Sequence, residues 1–554
     1  MAFRGFLYLL FLMPMMLPAP PDRSQSRSMT VTTRGIVATS VTLASQAGAQ
    51  ILARGGSAAD AAIAANATLG VVEPMMNGIG GDLFAIVRLA ADKAPQGLNA
   101  SGWAPKTLSI EALQKAGHAA MPATGIQTVT VPGCVAGWAA LHSRYGRLPW
   151  KVLFAPAIYY AEHGFPVTEV VHDEWESGNA KLSSNRYAKQ VFLPVPAKGQ
   201  VFRNPDLAKS LRLIAEQGAK AFYRGPIGEA ILATSRELGG TMAAADLAEF
   251  EPEWVEPISV TYRGWRVFEI PPNSQGIAAL SMLNLMETFD FGQGAFTSPE
   301  AFHRKIESQK LAYADLARYV ADPRFAKVPV AGLLDKQYAA ARARCTAAPG
   351  DPSLDPHGDT TYLTAVDSNG NLVSLIQSIF QNFGSGIAVP GYGFHLHNRG
   401  ALFVLDPKHP NALAPRKRPF HTIIPGYMEK GNQRIAFGIM GGLNQAQAHA
   451  QFVSDIVDHG MNIQAALEAP RFSKQTFGGC DFKIEPRLPA ATYQHLRALG
   501  HQYELTGDFS HEYMGCGQAI LFDVSTGVKF GASDPRKDGA AIPEPDPYFA
   551  APKK

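Results

Sequence analysis

Between Val41 and Arg54 small and apolar residues recur at helical spacing, and the pattern stops at Gly55-Gly56. Ser57 then offers an N-cap with Asp60 three residues on, a capping-box pair that predicts a second, alanine-rich helix from Ala58 to Leu69, ended by Gly70. Two helices with such small faces pack closely, so both are expected in a buried layer. From Ser101 to Phe302 turn signals such as Val131-Pro132-Gly133, Gly164-Phe165-Pro166 and Pro271-Pro272 alternate with amphipathic segments, which predicts a mostly helical stretch with a few strands. Ala301 to Val320 reads as a further helix, closed by Asp322-Pro323.

The period changes at residue 360. Residues 346–359 carry three prolines and two glycines and read as a flexible loop. Thr360 to Val366 is dense in β-branched and aromatic residues, Asn369-Gly370 is a strong hairpin signal, and Asn371 to Phe380 returns as a second strand. A third apolar strand, Arg434 to Met440, runs into Gly441-Gly442, and a helix is expected from Ala446 to His459. There is no internal repeat and no low-complexity segment.

With 554 residues, 46% hydrophobic and 18% charged, the chain can bury a large core without help from disulfides or metals. A formal charge of +3 gives no field to steer polyanions, so nucleic acid is not an expected partner. Cys134, Cys345, Cys480 and Cys516 are widely spaced and read as core thiols, neither a disulfide framework nor a structural zinc site. Arg4 with the apolar run Gly5 to Leu17 has the form of a signal peptide, too short to span a bilayer. Pro20 sits badly beside a cleavage after Ala19, and Met29 offers an alternative start. Residues 1–28 are therefore either a leader, implying a periplasmic or secreted protein, or a non-native extension of a cytoplasmic one. No later stretch is long and apolar enough for a membrane span.

A threonine that opens a strand behind a long loop has a specific chemical use. Were the bond between Asp359 and Thr360 cut, Thr360 would present a free α-amine beside its own hydroxyl, a base and a nucleophile on one residue. An α-amine titrates near pH ~7.7–8.0, so much of it is neutral at physiological pH. By local pattern alone, Thr360 reads as an ordinary β-branched strand residue.

A wider set of residues separates these readings. Gly358-Asp359-Thr360-Thr361-Tyr362, with Asn369-Gly370-Asn371 after it, resembles the processing site and first hairpin of the γ-glutamyltranspeptidase family of N-terminal nucleophile hydrolases. Other blocks resemble that family in the same order, among them residues 51–62, Gly78-Ile79-Gly80-Gly81-Asp82, residues 271–276, Lys417-Arg418-Pro419, Gly441-Gly442, residues 469–472 and residues 534–539. The resemblance covers roughly residues 34–541. It implies an α/β fold, a four-layer α/β/β/α sandwich, made from one proenzyme that cuts itself before Thr360. A large chain, 29–359, and a small chain, 360–554, would then associate as one integrated domain.

The same resemblance implies roles. Thr360 would be the nucleophile and its freed amine the base. Gly441 and Gly442 match the pair whose backbone N–H groups form the family's oxyanion hole, and Ser378 falls where the family places a hydroxyl bonded to the nucleophile. The glutamyl handle is altered: where the transpeptidases hold an α-carboxylate with an arginine before Ala-Pro and with paired serines after Lys-Arg-Pro, this chain has Ser101 and Phe420-His421-Thr422. The aspartate that grips the α-amine is also missing, since the matching stretch is Asn398-Arg399-Gly400-Ala401-Leu402. The chain is in this respect more similar to the acylase and oxamate amidohydrolase branch. Ser101, Arg399, His421 and Thr422 are the candidate substrate-binding residues; Arg416, Lys417 and Arg418 are candidates for a carboxylate or else solvated surface charges.

His395 and His397 share one face of an expected strand, but no nearby Asp, Glu or Cys completes a metal site in the sequence, so neither metal nor other cofactor is expected. Glycine spacing excludes a dinucleotide fingerprint and a Walker-type loop, and no Gly-x-Ser-x-Gly elbow occurs. The expected activity is hydrolysis of an amide bond in a small carboxylate-bearing substrate through an acyl-Thr360 intermediate. A γ-glutamyl hydrolase or transferase acting on glutathione is the alternative among enzymes. A binding relative that has lost catalysis is the alternative of another class.

Overall fold

The computed structural model describes residues 25–291, 296–343, 359–474 and 481–548. The expected loop before Asp359, the thiols Cys345 and Cys480, and all but the last four residues of the expected leader lie outside them. The elements that build the site are helices α1 (Thr42–Ala53), α2 (Ala58–Val72), α3 (Gly276–Met286), α4 (Pro299–Tyr319) and α5 (Asn444–Val457), with strands β1 (Asp82–Arg88), β2 (Asp359–Val366), β3 (Leu372–Phe380) and β4 (Gln433–Ile439). Among the described residues, no helix is long and apolar enough to cross a membrane.

Two seven-stranded antiparallel sheets face each other. One runs in the order Ala540–Pro543, Ile36–Thr39, β2, β3, β1, Gln96–Ala100, Glu253–Val255. The other runs Thr30–Thr32, Lys529–Ser533, Gly517–Asp523, β4, Gly426–Lys430, Trp265–Glu269, Ile258–Tyr262. Each sheet contains strands from both before and after residue 360.

Side chains on a strand alternate between faces, and both faces here are covered, which is why these strands read as near-continuous apolar runs. In β1, Phe84 and Ile86 face the other sheet, while Leu83, Ala85 and Val87 face helices. In β3, Leu372 and Ile376 point inward and Val373 and Leu375 outward. From the second sheet, Phe268, Tyr427, Ala436 and Ile520 complete the layer between the sheets, and Ile435, Phe437 and Ile439 face α3 and α5. The result is helix, sheet, sheet, helix: a four-layer α/β/β/α sandwich.

The α1–α2 pair lies on the first sheet. Ser57 Oγ accepts the Asp60 N–H at 3.1 Å and Asp60 Oδ2 accepts the Ser57 N–H at 2.9 Å, the reciprocal cap that the sequence carries. The helix continues past Gly70 to Val72, and a Cβ at Gly70 would stand 3.3 Å from the Gly78 backbone, so this glycine allows close approach and does not terminate the helix.

Candidate active site

Alternation places three polar residues on the inward face at the open end of adjacent strands: Thr360 on β2, Ser378 on β3 and Asp82 on β1. Ser378 and Asp82 are direct register partners. Thr360 Oγ1 donates to Ser378 Oγ at 3.3 Å, and Ser378 Oγ accepts the Phe380 N–H at 2.7 Å. The hydroxyl pair is thus oriented from the strand end. Thr361, on the opposite face, donates to Glu73 Oε2 at 2.9 Å and accepts from Asn77 Nδ2 at 3.1 Å, so the end of α2 holds the strand from behind.

The bond before Thr360 is irregular. Asp359 pairs with Phe380, Thr361 pairs with Gln377, and a β-bulge lies between, as the unequal spacing requires. Phe380 has φ +75°, a conformation that an aromatic residue adopts only when its surroundings impose it.

The second sheet supplies the other wall. After β4 the chain turns through Gly441 (φ +123°) and Gly442 (φ +58°), dihedrals open to glycine and costly for other residues. Neither glycine N–H has a partner among the described residues. Three residues on, Gln445 Nε2 reaches Thr360 Oγ1 at 3.5 Å, while its Oε1 accepts the Ile424 N–H at 3.0 Å. Gln275 bridges the Gly442 carbonyl, at 2.8 Å, and the Thr422 carbonyl, holding the turn against the segment before strand Gly426–Lys430.

Beyond Ser378 lies a buried charge cluster around Asp82 Oδ2. Arg399 Nε donates to that oxygen at 3.0 Å; His421 Nε2 stands 3.0 Å and His397 Nδ1 3.1 Å away, the arginine N–H making the directed bond. Burial works to raise the Asp82 pKa, but the imidazoles of His397 and His421 hold the carboxylate well below its usual range. Burial and then Arg399 push the His421 pKa down to about 3, and burial lowers that of Arg399 to about 10.

Arg399 Nη1 donates to Thr422 Oγ1 at 2.8 Å, its guanidinium lies 4.5 Å over the Phe380 ring, and its Nη2 is buried without a partner among the described residues. A buried cationic donor left unpaired is costly, and a carboxylate is its natural complement.

Arg399, His421 and Thr422 therefore converge on one cluster. Ser101 is joined to it indirectly: its Oγ donates to Asn99 Oδ1 at 2.8 Å and accepts from Asn273 Nδ2 at 3.2 Å, and it has no exposed surface. Three basic residues behave differently from expectation. Arg416 pairs with Asp246 and Glu249, Lys417 Nζ donates to the Pro410 and Ala412 carbonyls, and Arg418 pairs with Glu253, so all three are spent on the protein itself.

The histidine expectation also needs correction. His395 and His397 do not share a strand face: His395 packs between Phe192 and Phe383 at 4.3 and 5.0 Å, whereas His397 meets Asp82, an acidic neighbour more than three hundred residues away in sequence. Asp82, Gln275 and Gln445 are the site residues that sequence reasoning did not single out. Asp82 and Gln275 stood inside quoted blocks, but nothing local told which atoms they would meet.

A two-sheet sandwich between helical layers, with a strand-opening hydroxyl facing a glycine turn, defines an N-terminal nucleophile hydrolase. The chain belongs to the gamma-glutamyltranspeptidase family, whose profile matches residues 44–544. It is 38% identical over 511 residues to the glutathione hydrolase-like YwrD proenzyme of Bacillus subtilis, covering 90% of this chain and 96% of that one. It is 36% identical to the oxamate amidohydrolase proenzyme of Klebsiella pneumoniae, over 93% and 99% of the two chains. A solved structure of cephalosporin acylase from Bacillus halodurans superposes with a TM-score of 0.89 at 40% identity, covering 97% of this chain and all of that one. The protein is thus an amidohydrolase-type enzyme of this family.

Proposed function

We propose that the chain cuts itself before Thr360 and then hydrolyses the amide of a small carboxylate-bearing substrate. In the first step Thr360 Oγ1 attacks the Asp359 carbonyl carbon; the acyl group moves from nitrogen to oxygen, which frees the α-amine, and water then hydrolyses the ester to release the Asp359 carboxylate and restore the Thr360 hydroxyl. The bulge at that bond and the 3.3 Å contact to Ser378 support this step. In turnover the amine takes the Thr360 hydroxyl proton, Oγ1 attacks the substrate carbonyl, and the oxyanion meets the Gly441 and Gly442 N–H groups. The proton passes to the leaving amine, and water releases the acid from the acyl-Thr360 ester.

The observation that carries the substrate class is Arg399 Nη2, a buried cationic donor beside Phe380 without a partner among the described residues. Ala401 and Leu402 stand in place of an acidic residue, and the nearby Asp82 carboxylate is engaged by Arg399, so a substrate α-ammonium finds no dedicated counter-charge. The chemistry favours acids that lack an α-amino group. A second reading, hydrolysis of γ-glutamyl amides, draws on the name of the Bacillus relative. Comparing kcat/KM on γ-glutamyl and glutaryl p-nitroanilides decides between them: a higher value for the γ-glutamyl compound overturns the first reading. A binding role without catalysis is disfavoured by the intact Thr360, Ser378 and glycine pair.

A further inference from the structure

A second cluster of ligating side chains lies apart from this chemistry. His303 and Glu307 stand four residues apart on α4, hence on one helix face. His501 approaches them from the start of strand Gln502–Leu505, just after helix Ala490–Ala498. His303 Nδ1 and His501 Nε2 are 2.9 Å apart, Glu307 Oε1 is 3.8 Å from His501 Nε2, and ligand atoms of all three fall within 4.8 Å of one another. None of the three takes part in the hydrogen bonds around Thr360.

We propose that His303, Glu307 and His501 form a binding site for a divalent transition-metal ion of the zinc type, which pins the segment 481–505 to α4. Two imidazoles and one carboxylate suit a borderline ion such as Zn²⁺, not Ca²⁺ or Mg²⁺, which favour oxygen ligands. Metal held ~2.0–2.1 Å from both nitrogens would subtend about a right angle at the present spacing, so tetrahedral geometry needs only a slight opening of the pair.

The ligands are held in place from outside the cluster. The His501 N–H bonds the Leu496 carbonyl at 3.1 Å, fixing the backbone at the helix end, and the Phe482 ring packs edge-on against the imidazole at 5.7 Å. Burial lowers the pKa of both histidines, His501 to about 4, against the opposing pull of Glu307. The neighbouring charges are Glu300, Arg304 and Lys310. Lys310 Nζ bonds Glu307 at 2.7 Å and competes with metal for that carboxylate. The metal-free alternative is a plain N–H···N bond between the two imidazoles.

The test is calorimetric titration of Zn²⁺ into chelator-treated, dialysed protein, with thermal unfolding followed in parallel. The wild-type chain should take up one ion with micromolar or tighter affinity and gain Tm with added Zn²⁺. His303→Ala and His501→Ala should each weaken uptake roughly 100-fold, while Lys310→Met should tighten it, amide hydrolysis being unchanged in all three. Should either histidine variant lose the fold, Glu307→Gln, which keeps the shape of the side chain, and Lys310→Met must still shift affinity in opposite directions. Failure of the wild type to bind Zn²⁺, or equal binding by wild type and variants, overturns the proposal.

Discussion

Thr360 Oγ1 donates to Ser378 Oγ across a hairpin whose register breaks at the bond that precedes Thr360. Wherever the hydroxyl serves both in cutting that bond and in turnover, one substitution must abolish both. Thr360→Ala is expected to leave a single band on a denaturing gel and no amide hydrolysis. The wild type should give two, the smaller beginning with Thr. A wild-type chain that stays whole while active would refute the mechanism.

Gln445 touches Thr360 only at 3.5 Å and is otherwise anchored to the Ile424 N–H. Gln445→Leu should therefore lower kcat by roughly 2- to 10-fold, the loss of one hydrogen bond worth ~0.5–1.5 kcal/mol, with KM little changed. Single-turnover kinetics distinguish this from slower maturation.

Arg399→Gln should cut kcat/KM for carboxylate-bearing amides by roughly 10- to 100-fold, as expected for one charge-assisted contact of ~1.5–3 kcal/mol. Neutral amides of similar size should be affected far less. Equal losses on both substrate classes would assign Arg399 a purely architectural role.

Acid should destabilise the fold through buried imidazoles. His395, desolvated and beside Lys181, has its pKa pushed down to about 3, and His421 likewise to about 3. An unfolded imidazole titrates near ~6.5, so between that pH and 3 the unfolded state binds more protons and stability falls as pH falls, by ~1.4 kcal/mol per pH unit for each group. The His395 ring nitrogens have no partner among the described residues, so His395→Leu should remove one such slope at little cost at pH 7. Denaturant unfolding of the Thr360→Ala chain, with and without that change, at pH 7 and 5 reads the difference.

Nucleophile, base and oxyanion donors all come from the protein in this mechanism, so hydrolysis should survive exhaustive chelation. Activity lost to a chelator and restored by Zn²⁺ would contradict it.

Local signals carried much of the architecture. The Ser57–Asp60 cap, the Asn369-Gly370 turn and the strand before Gly441 each depend on neighbours within a few residues, and each stands in the structure. The expected helix from Ala446 begins at Asn444, where the glycine turn hands over to it. The charge cluster was not legible in the same way. Asp82 gains its meaning from residues 397, 399 and 421, far away in the chain and brought to it by the tertiary fold. Nor could spacing tell that Lys417 and Arg418 point into the protein, since a basic run reads as solvated until its carbonyl and carboxylate partners are seen.

The interleaving of strands has a consequence for maturation. In the first sheet β2 and β3 lie between Ile36–Thr39 and β1; in the second, Gly426–Lys430 pairs with Trp265–Glu269 and Lys529–Ser533 with Thr30–Thr32. Scission before Thr360 would sever one covalent bond and leave every rung of both ladders in place. The fragments could part only by melting the sheets, so nicked molecules should not trade halves with one another. Once denatured and separated, they would have to rebuild two sheets as a bimolecular reaction, giving the enzyme a memory of its uncut precursor that dilution alone cannot erase.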